Sequence, residues 1–493
     1  MYKRQAASST STERAFAAAA AVVDTHGVHL SNGERRSTPH IRHLGDLAAL
    51  GYELHLGTQV VQQSRAARGH TNPGVVVVAA DVAEQLGITT RGLPRDGAER
   101  GAAFAAAHAD HPALRAALED GWFVAEKVGT DLRGWTKMWR EGQASVYITF
   151  VDLLPPSVRA GDADNTTIAR RLGLFSQVLG TGYHLSQHAT GLDLMRSLRQ
   201  KRSTEFVVHN PPAPALSIGD PDLNWARRPV GDESSATYVH AYDRGGAHLA
   251  GVAGLELPVG DTVEHPNGTA FDPRLPGYWY VELPDAADWR YPHPLFKGLR
   301  PRQFDWVTTP TLALAAELGY ELEIHRAWVW EQHARVLDPW YKRVSEARTA
   351  TDDESNADLA VVRTMLKELY TRTIGMMGSR THAEGTWTFY PERRHHIVAK
   401  ARANLLRRVV QIGQSNGVWP LAVKTDTVLY ASNEADPIKA WPGDPKHLGR
   451  GLGQFKVEGT GLLVDQLPHL EGPSWPDDAK ALITGRTPDD GSE

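Results

Sequence analysis

Leu421–Ser432 reads LAVKTDTVLYAS and Tyr238–Leu249 reads YVHAYDRGGAHL. In each, a β-branched and aromatic run brings an Asp to a turn: Asp243 ends the run in the second stretch, and Asp426 interrupts the first. Runs of that composition form strands, so both carboxylates are delivered to the edge of a sheet. Between them in the chain, Leu366–Gly378 (LKELYTRTIGMMG) has helical spacing and carries Lys367. Two strand-borne carboxylates and a basic helix are the parts used by metal-assisted nucleotidyl transfer.

Working outward, 493 residues exceed what one core serves and imply two or three domains. The 41% hydrophobic and 23% charged content is that of an ordinary globular protein. No apolar run reaches the roughly eighteen residues of a membrane span, and a cytoplasmic location is expected. The absence of cysteine removes disulfides, thiolate metal sites and thiol redox chemistry. A net charge of −5 does not mark a nucleic-acid binder, but local charge decides that question.

Met1–Gln5 (MYKRQ) reads as adapter-derived, and it is set aside as any cloning scar is. Residues 6–110 read as an N-terminal α/β region with its beginning lost. Leu44–Leu56 is expected to be helical, then strand-like; Gly74–Ala80 is a buried-strand run leading into a helix at Asp81–Leu86. Residues 111–225 form a second α/β region. It holds the strand Ser145–Leu154, a small strand near Tyr183–Leu185, and amphipathic helices at Thr166–Leu179 and Gly191–Arg199. The Pro-rich stretch Asn210–Pro229 reads as a linker. Residues 226–470 read as an α+β domain: a strand ending at Asp243, strands at Tyr278–Leu283 and Tyr320–Trp330, helices at Trp340–Arg348, Asp358–Gly375 and Glu392–Gln414, then the strand pair of Lys424–Ser432. The tail 471–493 is Pro- and Asp-rich and is expected to be disordered.

In order and content the three segments resemble motifs A, B and C of family B DNA polymerases, especially the protein-primed branch. The resemblance covers about residues 235–460. It implies a right-hand palm with helical fingers, preceded by a region derived from an RNase H-like exonuclease. In motif A the Asp binds both metal ions and the next backbone residues approach the triphosphate. That assigns Asp243 to metal and Arg244, Gly245, Gly246 and His248 to nucleotide, with His248 where the family has a Tyr under the sugar. In motif B, counting from Lys367 gives Thr371, Arg372, Ile374 and Gly375 where the family has Asn, Ser, Tyr and Gly, so Lys367 and Gly375 alone survive.

Motif C is Asp-Thr-Asp in the family, and its second Asp is the partner ligand. Here the triplet is Asp426-Thr427-Val428, and valine cannot coordinate a cation. Either another acid such as Glu434 completes the site, or a one-residue shift brings Asp426 to the corner, or the metal pair is lost. If the site is active, Asp243 and Asp426 are the catalytic residues and Mg²⁺ the cofactor. Downstream, Asp444–Gly449 and Gly453–Glu458 resemble the palm segment that follows motif C in protein-primed polymerases.

The helix Glu392–Gln414 carries Arg393, Arg394, Lys400, Arg402, Arg407 and Arg408 against the single acid Glu392. With its apolar stripe turned inward, its exposed side is expected to be strongly basic, which suits non-specific, salt-sensitive DNA binding. Arg363, Lys367 and Arg372 spread charge along one side of the preceding helix, and Lys446 and Lys456 add backbone-phosphate candidates. A solvated face is the plain alternative for each. Asp-x-Glu, the mark of a proofreading exonuclease, is absent from residues 6–225, although Asp152 ends a strand where one would begin.

The combination resembles polymerase-derived proteins without synthesis activity, such as telomere-associated proteins of linear bacterial replicons. That resemblance implies nucleoid-associated DNA binding and a terminal protein as partner. A working protein-primed polymerase and a mobile-element regulator stay open beside it.

Overall fold

Apolar runs without alternation, such as the first four residues of Ala20–Asp24 (AAVVD) and all of Gly74–Val78 (GVVVV), suit strands covered on both faces, and they form the centre of the first sheet. The computed structural model describes residues 20–57, 74–124, 137–198, 207–218, 223–295, 304–468 and 483, apart from 91, 95, 96, 109 and 354. Residues 1–5, expected to be adapter-derived, and, Ile483 aside, the tail 471–493 lie outside the described residues. The chain divides into two compact units, Met1–Phe206 with Pro339–Met376, and Val207–Asp338 with Met377–Glu493.

In the first unit the strands are β1 (Ala20–Asp24), β2 (Gly27–Leu30), β3 (Arg35–Arg36), β4 (Gly74–Val78), β5 (Phe123–Val124), β6 (Met138–Trp139) and β7 (Val146–Phe150). Their order is β3-β2-β1-β4-β7-β6-β5, with β1, β4 and β7 parallel and the flanking pairs antiparallel. The helix Asn165–Leu179 begins where Asp164 accepts the Thr167 amide at 2.8 Å and ends at Gly180 with φ +72°, a left-handed cap that glycine adopts without strain. Asp358, in the first turn of the helix Ala357–Met376, accepts Arg170 Nε at 2.6 Å and Arg171 Nε at 2.9 Å. That fork ties two helices far apart in sequence.

The acid at the centre of this sheet is Asp24, at the end of β1. It accepts the His26 amide at 2.8 Å, His29 Nε2 at 2.7 Å and Asn165 Nδ2 at 2.8 Å. Next to it, Asp81 accepts the Thr25 amide at 2.9 Å and the Thr25 hydroxyl at 2.6 Å. Asp152, which the sequence singles out, accepts the Thr90 hydroxyl instead. Leu54–Leu56 is a turn, with His55 at φ +52°, and the strand expected near Tyr183–Leu185 is a single bridge between His184 and Ser186.

The second unit contains β8 (Asn224–Ala226), β9 (Tyr238–Arg244), β10 (Leu257–Pro258), β11 (Val263–His265), β12 (Gly277–Glu282), β13 (Phe304–Thr308), β14 (Ile324–Val329), β15 (His333–Ala334), β16 (Ala422–Lys424), β17 (Thr427–Ser432) and β18 (Phe455–Leu462). They make an antiparallel five-stranded sheet of order β18-β9-β17-β16-β8, a four-stranded sheet β11-β14-β12-β13 and a β10-β15 ladder. The fold is thus mixed α and β with several sheets. The stretch expected to be a linker supplies β8, because Asn224–Ala226 finds its hydrogen bonds on the edge of β16. Leu405, Leu406 and Val409 of the helix Pro391–Asn416 pack on Tyr242, Val428 and Tyr430 from one face of the five-stranded sheet. No helix among the described residues is long and apolar enough to cross a membrane.

Burial alone would raise the Asp24 carboxyl, but the bonds from Asn165, the His26 amide and His29 outweigh it and hold the pKa below the ordinary value of 3.8. A folded-state pKa below the unfolded one contributes stability that is present above that ordinary value and lost as pH falls through the lowered one. Asp24→Ala is therefore expected to lower unfolding free energy at pH 7 by about 1–3 kcal/mol. Urea denaturation at neutral pH and near pH 3 should show the difference from wild type shrinking in acid.

Candidate functional site

The site grows from strand register. Asp243 on β9 lies directly across from Thr427 on β17 and from Lys456 on β18. Directly opposed residues share a face of the sheet, so carboxylate, hydroxyl and ammonium form one row. Lys456 Nζ sits 3.0 Å from Asp243 Oδ2, an ion pair between neighbouring strands. The register of β18 shifts between Val457 and Gly459, a bulge that leaves Glu458 as the extra residue. Its carboxylate accepts the Thr427 hydroxyl at 3.0 Å. Glu458 thus joins the row and is an acid the motif reading passes over; its place two residues beyond Lys456 was the signal available.

The same register moves Val428 out of the site. It pairs with Tyr242, is fully buried, and packs with Tyr242, Leu405 and Val409. The residue facing Asp243 is Thr427, which corrects the expectation that position 428 forms the metal corner. Asp426 lies in the turn between β16 and β17, where Thr425 has φ +53° and the Asp426 carbonyl accepts the Arg244 amide at 2.9 Å. Its side chain lines a small cavity with Ala247, His248, Arg402 and Leu405. Glu434 does not complete the site: its carbonyl accepts His240 Nε2 and its carboxylate accepts the Asp436 amide.

Two-metal chemistry needs carboxylates that hold ions about 4 Å apart. Among the described residues, three acidic or imidazole donors converge within 4.8 Å only at Glu282, Glu323 and His325, in the β12–β14 region. With Asp243 engaged by Lys456 and Val428 in the core, the residues present do not fit a metal pair.

The glycine turn after Asp243 is braced from β18's side: the Gly245 amide donates to Gln454 O at 2.9 Å and the Gly453 amide to Gly245 O at 2.8 Å. Gly246, at φ +63°, opens the short helix Ala247–Val252. Arg244 turns inward, donating to the carbonyls of Gly453 at 3.1 Å and Ala401 at 3.3 Å. Burial, with Arg408 nearby and Asp426 opposing, lowers it to about 10, so it stays charged at neutral pH.

The helix Pro391–Asn416 does not present a uniformly basic side. Arg393 is buried, with its guanidinium 3.8 Å over the Tyr390 ring and Nε on Pro258 O. Arg394 lies half-buried against Gly378. Arg407 forks onto Glu317 at 2.8 and 3.0 Å, Lys400 donates to Ala253 O, and burial lowers Arg408. The physical reason is that the five-stranded sheet is not this helix's only neighbour: the helices Ala247–Val252 and Thr309–Glu317 and the β10 strand also pack on it. His395 and His396 both bond to β12, through the Tyr278 hydroxyl at 2.8 Å and the Gly277 amide at 3.1 Å. Lys446 pairs with Asp444 at 2.6 Å.

Lys367, Arg372 and Gly375 are exposed on the helix Ala357–Met376, which belongs to the first unit. Arg363 there is tied to Asp352 at 2.9 Å and to Arg348 O at 3.2 Å. The aromatics Trp330, Trp340, Tyr370 and Tyr390 are buried and present no face on which a base could stack.

No protein-family model and no curated protein matches the chain. Among solved structures it is similar to phi29 DNA polymerase. The ternary complex of that enzyme with primer–template DNA and incoming nucleotide is 12% identical at a TM-score of 0.44, covering 69% of this chain and 72% of that one. Its complex with single-stranded DNA is 12% identical at a TM-score of 0.43, covering 66% and 68%. Likeness at that level carries no functional argument, which rests on the residues of the site.

Two substitutions separate the registers. Val428→Asp buries an unpaired carboxylate and is expected to cost about 3–5 kcal/mol, with no recovery in Mn²⁺. Thr427→Asp adds a carboxylate to the row of Asp243 and Glu458, so its lowered melting temperature should rise by several degrees in Mn²⁺, as binding to the native state alone requires. Thermal unfolding with and without Mn²⁺ checks both.

Proposed function

We propose that this chain is a DNA-binding protein built on a family B polymerase-like palm, which grips the sugar–phosphate backbone without two-metal nucleotidyl transfer. The observation that carries the reading is the Asp243–Lys456 pair: a tethered ammonium stands beside the carboxylate that a polymerase reserves for metal. An internal cation neutralises Asp243 without offering a coordination site, and it leaves the strand row compatible with a nearby phosphate. The reading is further supported by Val428 in the core and by the motif order in the sequence.

In this reading the five-stranded sheet is the palm, the helix bearing Lys367 and Arg372 derives from the fingers, and the mixed sheet around Asp24 derives from an RNase H-like exonuclease. Replacement of that domain's acidic pair by Asp24 and His26, with Asp24 saturated by His29 and Asn165, fits a nuclease that has lost its metals too. The biological setting that suits such a protein is replication or end maintenance of a linear or mobile replicon, with DNA and a terminal protein as partners. Lys456, Arg402, Lys446, Lys367 and Arg372 are the cations proposed to meet phosphates.

A second reading, an active protein-primed polymerase using Asp243 and Asp426, draws on one observation: Glu458 supplies another carboxylate one hydroxyl away from Asp243. Primer extension separates the two. The binder reading expects no incorporation in Mg²⁺ or Mn²⁺; incorporation abolished by Asp243→Ala establishes the enzyme. Gel-shift titration should show sequence-independent binding that weakens steeply with salt, and Lys456→Ala should reduce the salt slope by about one. No binding at low salt would leave neither reading standing.

A further inference from the structure

A cavity of about 530 Å³ opens in the second unit beside the helix Pro391–Asn416, within the range of small-molecule sites. Its charged lining is lopsided: Arg274, Arg335, Lys400 and Arg407 against Glu256 as the only carboxylate. Three of the cations are matched. Arg274 forks onto Asp272 at 3.0 and 2.7 Å, Arg407 onto Glu317, and Arg335 donates to Glu256 at 3.0 Å, an acid it shares with His333. Lys400 instead donates to a neutral acceptor, the Ala253 carbonyl, at 3.2 Å.

Burial and the neighbouring Arg335 and Arg407 push Lys400 below the ordinary lysine value, and Asp338 and Glu256 only partly oppose them. His396, at the floor, adds no charge. Its Nδ1–H donates to Glu392 O and its Nε2 accepts the Gly277 amide, which fixes the neutral tautomer. The uncharged lining mixes apolar residues, among them Leu255, Pro276 and Pro310, with the polar Thr309 and Asn404. An ammonium close to two guanidiniums, in a lining that also offers apolar side chains, matches a ligand with an anionic group and an organic body.

We propose that this cavity binds the phosphate group of a small organic phosphate of mononucleotide size, with Lys400 as the main contact and Arg335 and Arg407 flanking it. The proposal does not rest on the polymerase-derived reading of the five-stranded sheet. The shared chemistry is a phosphate anion, whether free or carried on a nucleoside, and the two are distinguished by titrating AMP and inorganic phosphate separately.

Isothermal titration of the full chain at low salt is expected to give one saturable site for AMP. Lys400→Gln should weaken it at least about tenfold, and Lys400→Arg should retain most of the affinity. AMP binding tighter than phosphate identifies a nucleotide-like occupant; equal affinity identifies phosphate itself. If Lys400→Gln does not fold, Arg335→Gln is expected to show the same loss. The proposal is overturned by the absence of saturable heat for either ligand up to ~1 mM. It is overturned equally by a folded Lys400→Gln that binds as wild type does, or by Lys456→Ala abolishing AMP binding as fully as Lys400→Gln.

Discussion

The ammonium of Lys456, 3.0 Å from the Asp243 carboxylate, occupies the position from which the remaining chemistry of the site is set. A divalent ion in that place would need further oxygen ligands and would draw a substrate phosphate into its shell. A lysine needs one carboxylate, is fixed by its own strand, and presents only hydrogen-bond donors. In the proposed reading the same pair of strands serves electrostatic contact where a metal would serve bond making. Lys456 is half-exposed, so the pair is worth little to stability; its consequence is for what Asp243 can bind.

Register is what makes this arrangement hold. A shift of one residue along a strand reverses every side chain, and the apolar partners of Val428 and Tyr242 on the helix side oppose such a slip. The bulge at Glu458 is the one irregularity in the row, and it turns a further carboxylate toward Thr427 without bringing it onto Asp243. Asp426 faces the cavity shared with His248 and Arg402, where its charge partly offsets the crowding of Arg244 by Arg408.

Much of this is written legibly in the chain. Strands at β4, β7, β9, β12 and β17 and the helices Asn165–Leu179 and Pro391–Asn416 follow from apolar runs and periodicity, which are local properties. The place of Asp243 near the end of β9 follows from the strand-forming run that precedes it. Cross-strand register is not local: the Asp426-Thr427-Val428 triplet reads in the sequence as though 426 and 428 line the site, and only the pairing with β9 puts Thr427 there. Arg393 looks like surface charge because helical spacing reports one buried stripe and is silent about neighbours on other sides; Tyr390 caps the same helix, but the Pro258 carbonyl comes from another part of the fold. Asp24 escapes notice because the Asp-x-Glu pattern is missing and one of its hydrogen-bond partners, Asn165, lies 141 residues along the chain.

The most direct measurement is anomalous diffraction from crystals soaked in Mn²⁺ with a short DNA duplex. Lys456 Nζ should remain on Asp243, with no manganese peak between that carboxylate and Asp426. Two manganese ions bridged by Asp243, with Lys456 displaced, would contradict the account.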